Sequence, residues 1–161
     1  EESFRTPLLV RYPGGVKGEI DEMVQNIDYA PTFLELAGVE IPDDIHGRSF
    51  LHLLKGDKYE PNRDGIYYHY YEFPDEHNVK PHLGIRTERY KLIHFYEDDV
   101  WELYDLQNDK NEMNNIYGKE GTENITAELK DKLEKLKEAG QRKDHPVLPL
   151  RRDMRTRNPS C

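Results

Sequence analysis

LGIRTERYKLIHFYEDDVWELYDL, residues 83–106, decides how this chain is read. Ile85, Tyr90, Leu92, Ile93, Phe95, Tyr96, Trp101, Leu103, Tyr104 and Leu106 are the β-branched, aromatic and apolar side chains that suit a pleated, half-buried surface. Glu97-Asp98-Asp99 is too charged to bury, so it turns the chain between antiparallel strands. The stretch therefore predicts two or three strands joined by tight polar turns.

Upstream, residues 66–73 (IYYHYYEF) predict a further strand. Tyr67, His69, Tyr71 and Phe73 would share one face, and Tyr68, Tyr70 and Glu72 the other. Aromatic residues on both faces suggest a strand covered on both sides or bordering a cleft. Residues 74–82 (PDEHNVKPH) hold two prolines and several polar side chains, and read as a loop. Downstream, Asp105 to Gly121 is turn-rich. Thr122 then opens a helix to about Ala139, with Ile125, Leu129, Leu133 and Leu136 on its buried face. Glu128–Lys132 and Asp131–Lys135 are i,i+4 pairs on the rest of it, and Gly140 ends it.

At the other end, Leu8-Leu9-Val10 is a short apolar run closed by Pro13-Gly14-Gly15, which fits a strand buried in a parallel sheet. Such a strand needs neighbours that the chain does not supply, so the sequence is expected to be part of something larger. Residues 28–37 predict a helix with Asp28 as N-cap, Pro31 in its first turn and Gly38 as its stop. Its expected buried stripe is Ile27, Ala30, Phe33, Leu34 and Ala37. Ser49 caps a second short helix, Phe50 to Leu54, ended by Gly56. Residues 57–64, with Pro61, read as a connection between domains.

The chain has 161 residues and a formal charge of −9. Residues 141–161 carry six Lys/Arg against two Asp, so the body before them is more acidic still. An acidic body argues against nucleic acid, whose binding rests on phosphate neutralisation. No apolar run approaches a membrane span of about 18 residues. Cys161 is the single cysteine, which leaves no internal disulfide and no cysteine-based metal site. His69, His77, His82 and His94, with Glu72, Asp75 and Glu76, lack the ligand spacing of a zinc site. The aromatic run 67–71 reads as sheet core, with sugar stacking as the alternative. Arg86 and Arg89 suit either sulfate binding or structural salt bridges, the latter favoured. Asn124-Ile125-Thr126 satisfies a glycosylation sequon.

Three blocks in order carry a family resemblance: Gly84-Ile85-Arg86-Thr87-Glu88-Arg89-Tyr90-Lys91-Leu92-Ile93, then Trp101-Glu102-Leu103-Tyr104-Asp105-Leu106, then Asn108-Asp109-x-x-Glu112-x-Asn114. With Glu2-x-x-Arg5-x-Pro7, Asp28-x-x-Pro31-Thr32 and Gly47-x-Ser49, they resemble the C-terminal portion of type I, formylglycine-dependent sulfatases over residues 1 to about 139. The resemblance implies an alkaline-phosphatase-like α/β fold. Residues 1–60 would close the large α/β domain, and 61–140 would form an antiparallel-sheet subdomain with one long packing helix. Residues 141–161 would be a poorly ordered basic tail. It also implies hydrolysis of sulfate esters, with calcium and a formylglycine made from Cys or Ser in a Cys/Ser-x-Pro-x-Arg motif. That motif is absent here, so no residue of this chain is expected to be catalytic and the chain alone should be inactive. The implied partners are a sulfated carbohydrate and a missing N-terminal sulfatase domain, and the implied location is periplasmic or secreted.

Tyr70 to Gly84 is similar to a pattern in sulfatases acting on 6-sulfated N-acetylglucosamine of glycosaminoglycans. By that resemblance His82 would hydrogen-bond a sugar hydroxyl, with His77 as a second candidate; a turn-capping role for His82 is the alternative. Two other functions remain open at this point: a relative acting on another sulfate or phosphonate ester, and a non-enzymatic carbohydrate-binding or interaction module.

Overall fold

A computed structural model describes residues 1–57, 63–74 and 78–141. Four strands form one antiparallel meander in the order β1-β2-β3-β4: β1 Ile66–Tyr70, β2 His82–Arg86, β3 Tyr90–Phe95 and β4 Val100–Asp105. The expected turn at 97–99 joins β3 to β4, and Asp99 takes the left-handed conformation there, with φ 52°. The β2–β3 turn is closed by Thr87, whose amide donates to the Tyr90 carbonyl and whose Oγ1 accepts from the Tyr90 amide.

Period-two alternation gives the sheet two different faces. Ile85, Leu92 and Leu103 lie side by side across β2, β3 and β4 and are fully buried. The helix α3, Glu123–Gln141, covers them with Leu129 and Leu133, flanked by Ile125 and Leu136. This is the predicted stripe, and both predicted i,i+4 pairs form, Glu128–Lys132 at 3.2 Å and Asp131–Lys135 at 2.6 Å. Gly140 does not end the helix, which runs on to Gln141. A single glycine lowers helix propensity by about 1 kcal/mol, too little to stop a helix whose preceding turns are packed on a sheet. The opposite face is mixed: Ile93, Tyr104, Leu106 and Phe95 cluster there beside Tyr68, Arg86 and Lys91.

Before the sheet lie α1, Tyr29–Leu36, entered through a 3-10 turn at Asn26–Asp28, and α2, Leu51–Lys55. Gly38 and Gly56 stop them in left-handed conformations, as the sequence predicts. The second helix starts one residue later than expected, with Phe50 at its N-cap; Ser49, the expected cap, lies one position further out and accepts from the Leu51 amide. One expectation fails, the strand at Leu8-Leu9-Val10; Leu9 is 95% exposed, as expected of an apolar run that has lost its partners. A parallel strand is stabilised by ladders on its neighbours, and no described strand lies beside it. The stripe of α1 also faces outward, Phe33 being 67% exposed, while Pro31 and Thr32 on the other side are buried. Amphipathicity records that a helix has an apolar face, not that this chain covers it.

The sheet and α3 should accordingly be the most protected part of the chain. Amides of residues 8–10 are expected to exchange about two orders of magnitude faster than those of 91–94. Equal protection in a monomer would contradict this picture. No described helix is long and apolar enough to cross a membrane. Residues 58–62, in the expected interdomain connection, and the tail from 142 onward lie outside the described residues.

Candidate functional site

Asp28 is not the side-chain cap of α1. It is fully buried and gathers three donors: the Gln25 amide at 2.7 Å, the Arg48 amide at 2.8 Å and Arg63 Nη2 at 2.7 Å. Its carbonyl accepts from Thr32 Oγ1, which itself accepts from the Phe50 amide. Gly47 passes so close to the Ile27 carbonyl that a β-carbon would stand 2.0 Å from its oxygen. The motifs around Asp28, Thr32 and Gly47 thus build a hydrogen-bonded hub that joins both helices to the chain entering β1.

A second charged group sits on the mixed face of the sheet. Lys91, 4% exposed, donates to Glu112 at 2.7 Å and lies 4.5 Å from the Phe4 ring centroid. Burial works against ionisation of Glu112, yet the hydrogen bond from Lys91 helps hold its carboxyl below the usual range. Arg86 bonds Glu1 at 3.1 Å, and Arg89 grips Asp105 with two nitrogens at 3.1 and 2.8 Å. Both arginines are therefore committed to salt bridges. The Arg89 hydrogen bond brings the Asp105 carboxyl down to about 2. A depressed carboxyl stabilises the fold above its unfolded titration, about pH 4, and this contribution fades as pH falls toward about 2. Unfolding by urea, followed by Trp101 fluorescence, should show stability falling in that window. Arg89→Ala should flatten the fall, and an unchanged slope would discount the pair.

The same face carries the candidate recognition residue. His82 is not in the loop: it is the first residue of β2, paired with Tyr70 on β1. Pro81, which argued for a loop, ends it instead; lacking an N–H, it fits just ahead of a strand. The imidazole stands in a row of rings. Tyr70 stacks on it at 5.3 Å and 27°, Phe95 of β3 lies at 5.0 Å, and Tyr68 meets it edge-on at 5.9 Å. Its Nδ1 is 2.9 Å from the Lys80 carbonyl oxygen. Tyr68 crosses over Gly84, its strand partner, and its hydroxyl is buried without a hydrogen-bond partner among the described residues. Burial pushes that phenol well above its ordinary range.

The other histidines are not brought to it. His69 and His94 project from the α3 side of the sheet, into a shallow groove with Leu83, Tyr96, Trp101 and Lys137. There His94 stacks on Trp101 at 3.8 Å and bonds Asp99, while His69 contacts the Tyr96 hydroxyl. Lys130 lies 3.9 Å over the same tryptophan, a contact that sequence spacing gave no sign of. The aromatic run is split by its alternation, with Tyr67 in the core under α3 and Tyr68 and Tyr70 beside His82. His77, Asp75 and Glu76 lie outside the described residues. Among the described residues no three His, Cys, Asp or Glu side chains group as metal ligands.

Comparison with known proteins agrees with this architecture. Residues 1–139 match the family described as N-sulphoglucosamine sulphohydrolase, C-terminal. The chain is 52% identical over 124 residues to an N-acetylglucosamine-6-O-sulfatase of Bacteroides thetaiotaomicron, covering 74% of this chain and 22% of that protein. It superimposes with a TM-score of 0.67, at 48% identity, on the structure of BT4656 in complex with its substrate D-glucosamine-2-N,6-O-disulfate, covering 73% of this chain and 24% of that one. A phosphonate monoester hydrolase of Agrobacterium radiobacter superimposes at 0.64 with 23% identity, over 80% of this chain and 27% of its own, and shows the fold alone. The chain thus spans about a quarter of the length of these relatives.

Proposed function

The chain belongs to the sulfatases, matching their C-terminal portion, and on that premise we propose that the protein containing it hydrolyses the 6-sulfate of glucosamine units in glycosaminoglycans. The observation that carries this reading is the 52% identity to an N-acetylglucosamine-6-O-sulfatase. The part of this chain in the reaction is recognition rather than chemistry. It holds no Cys/Ser-x-Pro-x-Arg nucleophile motif. The formylglycine, the calcium and the sulfate-binding groups therefore fall to the remainder of the protein, which residues 1–57 would join, and the whole would act in the periplasm or outside the cell. His82, held on a rigid sheet among rings, supplies the hydrogen bond to a sugar hydroxyl. His77, outside the described residues, is a second candidate.

Sulfate release from glucosamine-6-sulfate by the protein that contains this chain tests the reading. It should be turned over faster than sugars sulfated at other positions; preference for another regiochemistry would overturn the assignment. The 161-residue chain by itself should release no sulfate above a heat-treated control. His82→Ala in the complete protein should lower kcat/KM on the sulfated sugar by about ten- to a hundredfold. A small aryl sulfate, which offers no hydroxyl, should be affected little. Equal losses on both substrates would make His82 structural or chemical instead.

A further inference from the structure

The surroundings of His82 fix more than its position. A carbonyl oxygen can only accept a hydrogen bond, so the 2.9 Å contact between His82 Nδ1 and the Lys80 oxygen requires the proton to be on Nδ1. In a neutral imidazole the other nitrogen, Nε2, is then bare and can only accept. Among the described residues nothing bonds Nε2. The neighbouring rings keep the arrangement from relaxing, and Lys80 pairs through its ammonium with Asp98 in the β3–β4 turn, a partly exposed contact that adds little. Tyr70 on β1 and Phe95 on β3 flank the imidazole in one row across three strands, and restrict a ring flip that would exchange the nitrogens.

We propose that the Lys80 carbonyl, with the Tyr70 and Phe95 rings, locks His82 as the Nδ1–H tautomer. The site then offers the substrate a hydrogen-bond acceptor and selects a sugar hydroxyl by its O–H. This rests on the reading above that His82 faces the sugar, and adds the direction of the hydrogen bond. A site built to accept rejects groups that are themselves only acceptors, because two lone pairs would then face each other with neither hydrated. Lys80, Tyr70 and Phe95 are positioning residues in this scheme, acting through His82.

Two measurements test it separately. The first is the nitrogen-15 spectrum of the His82 ring in the full chain without substrate, at about pH 8, where an ordinary imidazole is neutral. The expected result is a protonated Nδ1 and a bare Nε2; the reverse tautomer, or a rapid mixture of both, overturns the lock. The second uses the complete protein and glucosamine-6-sulfate analogues in which each hydroxyl in turn is replaced by hydrogen or by fluorine. At the recognised position both replacements should lower kcat/KM by about ten- to a hundredfold. His82→Ala should remove most of that discrimination, and His82→Gln, whose amide oxygen reaches where Nε2 stands, should restore part of it. A fluoro analogue that keeps the parent rate while the deoxy analogue falls would make His82 a donor and overturn the proposal. If His82→Ala leaves every analogue unchanged, the sugar-contact reading fails and the selectivity proposal with it. The ring spectrum still reports the tautomer on its own, so the two failures are told apart.

Discussion

Asp28→Ala is expected to weaken the hub beneath α1 by about 3–5 kcal/mol. The carboxylate is fully buried, and three donors point at it. Its removal strands the Arg63 guanidinium, itself 8% exposed, and an unpaired buried cation costs far more than a lost surface contact. Trp101 lies in the sheet and is a poor reporter here, so the readout is amide exchange across α1 and α2. Protection there should fall by two to three and a half decades, about 1.4 kcal/mol for each, or vanish where the region's own stability is smaller. Asp28→Asn, which keeps an acceptor oxygen but not the charge, should lie between. The double variant Asp28→Ala/Arg63→Met should recover part of the loss, because no charge is then left buried. Strict additivity of the two single losses would mean that the ion pair is not the source.

Gly84→Ala is expected to cost about 3 kcal/mol or more, in a different part of the chain. A β-carbon there would stand 2.5 Å from the Leu92 carbonyl oxygen and 2.6 Å from the Tyr68 hydroxyl. The first of these is backbone on the neighbouring strand and cannot swing aside without breaking the β2–β3 ladder. The second is the ring that covers the bare glycine from across β1, the arrangement known as aromatic rescue. Urea unfolding followed by Trp101 fluorescence should show the loss. Adding Tyr68→Leu should recover some of it, since that relieves the ring but not the carbonyl. A Gly84→Ala protein as stable as the parent would show that the strands are not this close. Because Gly84 shares its face with His82, a milder distortion should also loosen the row of rings.

These two residues show how differently parts of the chain could be read beforehand. Gly84 lies in a stretch that the sequence predicts as strands, and a glycine within a strand often marks a close approach. What approaches it was not legible, because Tyr68 is brought there by strand register. Asp28 was read as a helix cap from local chemistry that often holds. Its true partners, Arg48 and Arg63, lie 20 and 35 residues away, and no local pattern ties them together. Pro81 invited a loop at His82, whereas the sheet begins immediately after it.

The sequence by itself determined that residues 66–70 and 83–106 form strands, the β3–β4 turn, the packed face of α3 and the resemblance to sulfatases. Each of these rests on a period or a motif that repeats within a few residues, and such signals survive without a third dimension. Only the tertiary structure decided that His69 and His94 face away from His82, and which carboxylates Arg86 and Arg89 pair with. These depend on which side of a sheet a residue falls and on whether a partner stands opposite. Strand alternation makes the first a matter of register, and long-range packing makes the second a matter of the whole chain.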